Sequence, residues 1–152
     1  MTTSLEFGTI QPVQVHFDDL DAMGIVHNAK YAVLLERALT QFWLSAGWTF
    51  DPATSRFPTD QMLAVREFTI SYHAPIPVVS EAAIHFWVER LGRSSISYGY
   101  RVLSADRDTV HAEGRRVQVK IDPLTRRPDE LSPGFRAAAE LIAQPQLLAP
   151  RQ

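Results

Sequence analysis

Val13, Val15 and Phe17 alternate with Gln14 and His16, the period-two pattern of a strand with one buried face. From Asn28 the period lengthens. Tyr31, Leu34, Leu35, Ala38, Phe42 and Ala46 recur at helical spacing, and Val33, Leu39, Trp43 and Leu44 widen the apolar stripe almost all the way round. A helix that apolar has to be wrapped, most simply by a curved sheet. Asn28 is the expected N-cap and Gly47 the expected stop. A turn-rich stretch, WTFDPATSRFPTDQ (48–61), then leads into four further alternating runs. These centre on Phe68–Tyr72, Ile84–Val88, Ile96–Val102 and Val117–Ile121, with Val110 and Ala112 out of phase with Val117, so that a bulge is expected near Gly114. In the last run Val117, Val119 and Ile121 read as one face, and Gln118 and Lys120 as the other.

The connections APIPVV, LGRSS and SADRD are short, which selects antiparallel hairpins over parallel crossovers. Ser132 and Pro133 read as the N-cap and first turn of a closing helix, about Pro133–Ala143, and a tail over 145–152 is expected to fray. The order is strand, long helix, four strands, short helix. It predicts an α+β fold in one domain, residues 1–144, with a five-stranded antiparallel sheet wrapped around a long central helix.

Composition narrows the partners. The chain has 152 residues, 45% hydrophobic and 21% charged, with 15 Lys and Arg against 17 Asp and Glu. A net charge of −2 offers no broad footprint for nucleic acid. With no cysteine, disulfides, thiolate metal sites and a cysteine nucleophile are excluded, in keeping with a reducing cytoplasm. The first residues, MTTSLEFGTIQP, lack a charged n-region and an apolar h-region, and no apolar run reaches the length of a membrane span, so a cytoplasmic location is expected. No metal-ligand spacing, HExxH, GxSxG, P-loop or GxGxxG occurs.

The chemistry concentrates in HFDDLDAMGIVHNAKY (16–31), where Asp18, Asp19 and Asp21 crowd between the first strand and the helix. Asp18 and Asp19 read as solvated loop residues or caps. Asp21 reads either as a turn-capping carboxylate or as a reactive one, because a helix N-terminus beside it supplies unpaired N–H groups and a positive dipole end. Asp21, Gly24, Val26, Asn28 and Tyr31 form the pattern DxxGxVxNxxY. Together with the element order over Val13–Ile121, that pattern resembles hot-dog-fold thioesterases of the 4-hydroxybenzoyl-CoA thioesterase type.

The resemblance implies hydrolysis of an acyl or aroyl thioester of coenzyme A, or of acyl carrier protein, with Asp21 as base or nucleophile and the Asn28 backbone N–H as oxyanion donor. It implies no metal or prosthetic group, coenzyme A entering only as part of the substrate. It also implies a homodimer or homotetramer with sites at the subunit interface. Gly24 gives the loop its bend, and Tyr31 reads as core packing or a substrate contact. His27 and Glu36 are further catalytic candidates: His27 beside the oxyanion amide, and Glu36 as the helix carboxylate that a second branch of these enzymes uses. Glu36 is expected to pair with Arg37 or a neighbouring subunit. Arg90, Arg93, Arg126 and Arg127 are candidates for the coenzyme phosphates. Trp43, Trp48, Phe50 and Phe57 are candidates for an aromatic acyl pocket. The rival readings are a hydratase or dehydratase using Asp21 and His27, and a non-catalytic acyl-CoA binder.

Overall fold

The computed structural model describes residues 5–148. Five antiparallel strands, β1 (Thr9–Gln14), β2 (Leu63–Tyr72), β3 (Glu81–Leu91), β4 (Ser95–Ser104) and β5 (Val110–Lys120), lie in the order β1-β3-β4-β5-β2. The long helix α1 (Tyr31–Ser45) crosses the inner face, and α2 (Pro133–Glu140) closes one end. The five-stranded α+β architecture read from the sequence is therefore the observed one. Among the described residues, no helix is long and apolar enough to cross a membrane.

The apolar periodicity of α1 becomes its packing. Tyr31, Leu34, Leu35, Ala38, Leu39 and Trp43 are buried, and full burial of Leu34 and Leu35 alone contributes roughly 1.5–3 kcal/mol each. Their partners are inward residues of β3 and β4, including Ile84, Phe86, Val88, Tyr98 and Tyr100. Trp43 stacks on Phe135 of α2 at 4.3 Å and donates from Nε1 to the Tyr98 hydroxyl at 2.9 Å, so the indole is both packed and satisfied.

Helix α1 packs over β1, β3 and β4, leaving the inner face of β2 partly bare. Phe68 and Ile70 are half-buried there, and Val65 and Tyr72 are exposed. Because β2 pairs only with β5, its other edge is free along its ten residues among the described ones.

Several local expectations are corrected. LGRSS and SADRD join paired strands, but APIPVV is not a hairpin: β2 pairs with β5, and this connection carries the chain from β2 at the sheet edge across to β3. The first strand ends at Gln14, and Phe17 opens a 3-10 turn (Phe17–Asp19) with its ring in solvent. The bulge in β5 falls at His111, between the pairs Val102–Ala112 and Leu103–Val110, not at Gly114. Gly114 serves a different purpose: a Cβ there would lie 1.9 Å from the Thr69 carbonyl oxygen, so β2 and β5 could not approach with any side chain at 114. The alternation in β5 also acquires a direction. Arg116 pairs with Tyr98 and Gln118 with Ile96, which puts the polar residues toward α1 and Val117 and Val119, themselves buried, on the opposite face. Asn28 is not an N-cap; the His27 side chain fills that role and α1 proper starts at Tyr31. Ser132 caps α2 as expected, but the helix ends at Glu140. In the expected tail, Pro145–Leu148 forms one more turn, α3, while 149–152 lie outside the described residues.

Candidate active site

The Asp21 loop is a closed structure. A bridge between Leu20 and Val26 seals its base, and inside it the Asp21 N–H donates to the Ile25 carbonyl at 2.8 Å and the Gly24 N–H to the Asp21 carbonyl at 3.0 Å. Gly24 has φ +78°, a left-handed conformation that a side chain would strain, with open space where a Cβ would lie. The glycine is there for its backbone, not for packing.

Asp19 anchors the loop to the helix. It is fully buried, and its carboxylate accepts from both terminal nitrogens of Arg37 (2.8 and 3.2 Å) and from the His16 N–H (2.8 Å). Burial pushes the carboxyl up, but the Arg37 hydrogen bond, the His16 N–H and the Arg37 charge outweigh it and hold Asp19 below its ordinary value. Of the two roles expected for Asp19, the solvated one does not hold and the capping one does, since its carboxylate takes the His16 N–H at the start of the 3-10 turn. Glu36 does not pair with Arg37, which is taken by Asp19; it pairs with Arg116 across the inner face.

A cleft of about 450 Å³ opens beside this loop, and Asp21, Asn28 and Tyr31 line it together with Tyr72 and His73 from the end of β2. Asp21 is half-buried. Its Oδ1 accepts from the Met23 N–H at 2.8 Å, the capping turn that the sequence allowed, while Oδ2 has no partner among the described residues. The Asn28 N–H likewise has no acceptor among the described residues. One oxygen therefore fixes the turn, and the other is without a hydrogen-bond partner among the described residues. Burial, chiefly, raises the Tyr31 phenol, so it stays protonated at neutral pH. Tyr31 meets Tyr72 edge-on at 5.1 Å, and the Tyr72 hydroxyl donates to the Asn28 carbonyl at 2.8 Å.

His27 is not joined to this arrangement. Its Nδ1 accepts from the Ala29 N–H at 3.0 Å, and no hydrogen bond links it to Asp21 among the described residues. Glu36 lies beyond the cleft, in a second chamber of about 240 Å³ with Thr40, Trp43, Trp48, Phe50, Gln61 and Gln118 among its lining. Phe57, the other aromatic expected there, is instead in the core. The chamber walls are held by buried Lys120, whose Nζ reaches Asp60 at 3.3 Å and the Glu130 carbonyl at 2.7 Å.

Arg90 and Arg93 flank the β3–β4 hairpin, and Arg126 and Arg127 sit in the turn after β5; all four are exposed. The two loops meet where the Leu131 N–H donates to the Arg93 carbonyl at 2.9 Å. That end of the sheet is the far one from Asp21, roughly 30 Å away along the strands, because Gln14 pairs with Glu81 at the opposite end of β3. Within one protomer the arginines and Asp21 do not converge. Sequence reading missed Tyr72 and His73, whose only signal was their place at the end of an alternating run. Among the described residues, no group of three or more His, Asp or Glu is placed to hold a metal.

The family model of the thioesterase superfamily matches residues 23–111, more than half of the chain, and starts two residues after Asp21. The acyl-CoA thioester hydrolase YbgC of Escherichia coli O157:H7 is 27% identical over 120 residues, 79% of this chain and 87% of its own. A solved structure of a putative acyl-CoA thioesterase from Xanthomonas campestris is 29% identical, covers 84% of this chain and all of its own, and superposes with a TM-score of 0.68. A Pseudomonas aeruginosa structure matches over 92% of this chain and 94% of its own at TM-score 0.79, and with 21% identity it speaks for the fold alone.

Proposed function

The chain belongs to the thioesterase superfamily, and on that premise we propose that it hydrolyses an acyl-CoA thioester to a carboxylic acid and free coenzyme A. The observation that carries this reading is the pairing, in one cleft, of a carboxylate with a free oxygen (Asp21) and a backbone N–H with no acceptor (Asn28). Hydrolysis needs those two things: something to deliver oxygen to the carbonyl carbon, and a donor where the carbonyl oxygen becomes negative.

In the general-base route, Asp21 takes a proton from water as the water oxygen bonds to the carbonyl carbon. The tetrahedral oxyanion accepts from the Asn28 N–H. Collapse breaks the C–S bond, and the proton on Asp21 passes to the departing thiolate. In the nucleophilic route Asp21 attacks directly, expels the thiolate and forms a mixed anhydride that water then hydrolyses. Both routes begin at the free Oδ2.

A second copy completes the site in this reading. The free edge and bare inner face of β2 suit antiparallel pairing with β2 of another protomer. The Asp21 cleft touches β2 at Tyr72, and the aromatic chamber touches it at Leu63. Antiparallel two-fold pairing sets the Tyr72 end of one strand against the Leu63 end of the other. Each Asp21 then meets the chamber, and the arginine-bearing end, of its partner. The acyl group would enter that chamber, and Arg90, Arg93, Arg126 and Arg127 would approach the coenzyme phosphates from across the interface.

The hydratase reading needs His27 and Asp21 as an acid–base pair, and the engagement of His27 with Ala29 weighs against it. The test is thiol release from a panel of short, long, branched and aromatic acyl-CoAs, and from acylated carrier protein, with Asp21→Asn beside the wild type. Turnover that collapses in the variant while substrate still binds supports the proposal. A wild type that stabilises on ligand addition yet releases no thiol overturns it in favour of a binding protein.

A further inference from the structure

We infer that Tyr72 is a positioning residue for the oxyanion donor, an inference that rests on the thioesterase reading above. Asn28 begins the short 3-10 turn (Asn28–Lys30) that leads into α1. No capping hydrogen bond comes from the Lys30 side chain where the α-helix begins. What holds the turn from within is His27, whose Nδ1 and carbonyl accept from the Ala29 and Lys30 N–H groups at 3.0 and 2.8 Å. From outside, the His27 N–H donates to the Asp19 carbonyl at 2.8 Å, and the Tyr72 hydroxyl is the side chain that reaches the turn itself, donating to the Asn28 carbonyl at 2.8 Å.

That bond crosses from the edge strand of the sheet to the residue whose N–H faces no acceptor, a separation of 44 positions in the chain. The Asn28 N–H shares one planar peptide with the His27 carbonyl, held by the Lys30 N–H, and the Asn28 carbonyl shares the next with the Ala29 N–H; with the Tyr72 hydroxyl on that carbonyl, both planes are pinned and the rotation about the Asn28 Cα that would swing the N–H is restricted. The Tyr72 ring is itself set edge-on against buried Tyr31. The phenol is therefore aimed before substrate arrives, which is the condition under which a donor stabilises developing charge without reorganising. Tyr72 touches no reacting atom; it acts through Asn28.

The experiment is Tyr72→Phe, which removes one oxygen and keeps the ring at an exposed site. Thiol release is measured with the acyl-CoA that the wild type turns over best. Inhibition is measured with two analogues of it, a trifluoromethyl ketone that adds water or Asp21 to form a tetrahedral oxyanion, and a methyl ketone that stays trigonal. The expected result is a kcat about tenfold lower with KM within about twofold, since only the transition state uses the donor fully. The trifluoromethyl ketone should weaken by about the same tenfold and the methyl ketone hardly at all. A kcat within about twofold of wild type overturns the inference. So does equal weakening of KM and of both analogues, the mark of general loosening. If the wild type itself releases no thiol, the proposed function falls and this inference with it; wild-type turnover matched by Tyr72→Phe removes the inference alone.

Discussion

The two concavities of the inner face sit at opposite ends of β2 and are built differently. The Asp21 cleft is walled by a tight loop and the start of α1, and its polar groups are left with unused capacity: one carboxylate oxygen and one backbone N–H. The second chamber is walled by aromatic rings, and its nearby charges are spent on each other, Glu36 on Arg116 and Lys120 on Asp60. Unused polar capacity suits reaction, whereas neutralised charge under an aromatic wall suits recognition of an uncharged group. On the proposed mechanism, the most charged end of the inner face is therefore the binding end and not the reactive one.

The sharpest way to break this comparison is to exchange the roles of the two carboxylates. Asp21→Asn should lower kcat by about a thousandfold or more, with the variant still folded by circular dichroism. Glu36→Gln, by contrast, should retain most of the turnover, because Glu36 lies outside the reactive cleft and is held by Arg116. Loss of activity in Glu36→Gln alone would reverse the assignment. Filling the chamber comes next. Thr40→Trp should raise KM or abolish turnover for the preferred substrate by about a hundredfold while sparing a short acetyl group, as read from the ratio of kcat/KM for the two.

Stability gives a smaller and separate effect. Asp19→Asn removes one partner of a buried pair and should cost about 3 kcal/mol, measured by urea unfolding at neutral pH. The pH dependence has a definite sign. Because the folded-state pKa of Asp19 lies below its ordinary value, its contribution is fully present above about pH 5 and is lost as pH falls through about 4 toward the lower folded value. Wild type should therefore lose stability over that acid range more steeply than Asp19→Asn does.

The antiparallel strands and the buried helix were legible because their signals are local: a period of two, a period of 3.6, and short turns. The Asp21 loop was legible for the same reason, since Asp21, Gly24, Asn28 and Tyr31 lie within eleven positions. What could not be read depended on pairing between distant segments. The strand order was not legible, because APIPVV reads as a hairpin whereas β2 pairs with β5 at the far edge of the sheet. Gln118 and Lys120 could be seen to share a face, but not that this face, with Arg116, turns inward, because the groups that receive Arg116 and Lys120 there, Glu36, Asp60 and Glu130, come from distant segments. Asp19 looked solvated because nothing nearby in the chain announces that Arg37, a few turns along α1, folds back on it. Tyr72 is 44 positions from the carbonyl it holds.

The central claim is that each reactive cleft works with the other protomer's chamber, and one measurement tests it most directly. Asp21→Asn and Thr40→Trp, each inactive alone on the preferred acyl-CoA, are unfolded together in equal amounts, refolded and assayed for thiol release. Random pairing makes about half of the dimers mixed, each with one intact cleft facing one intact chamber, so about a quarter of wild-type activity should return. If cleft and chamber of the same protomer worked together, no mixed dimer would hold a complete site, and activity would stay at the level of the separate variants.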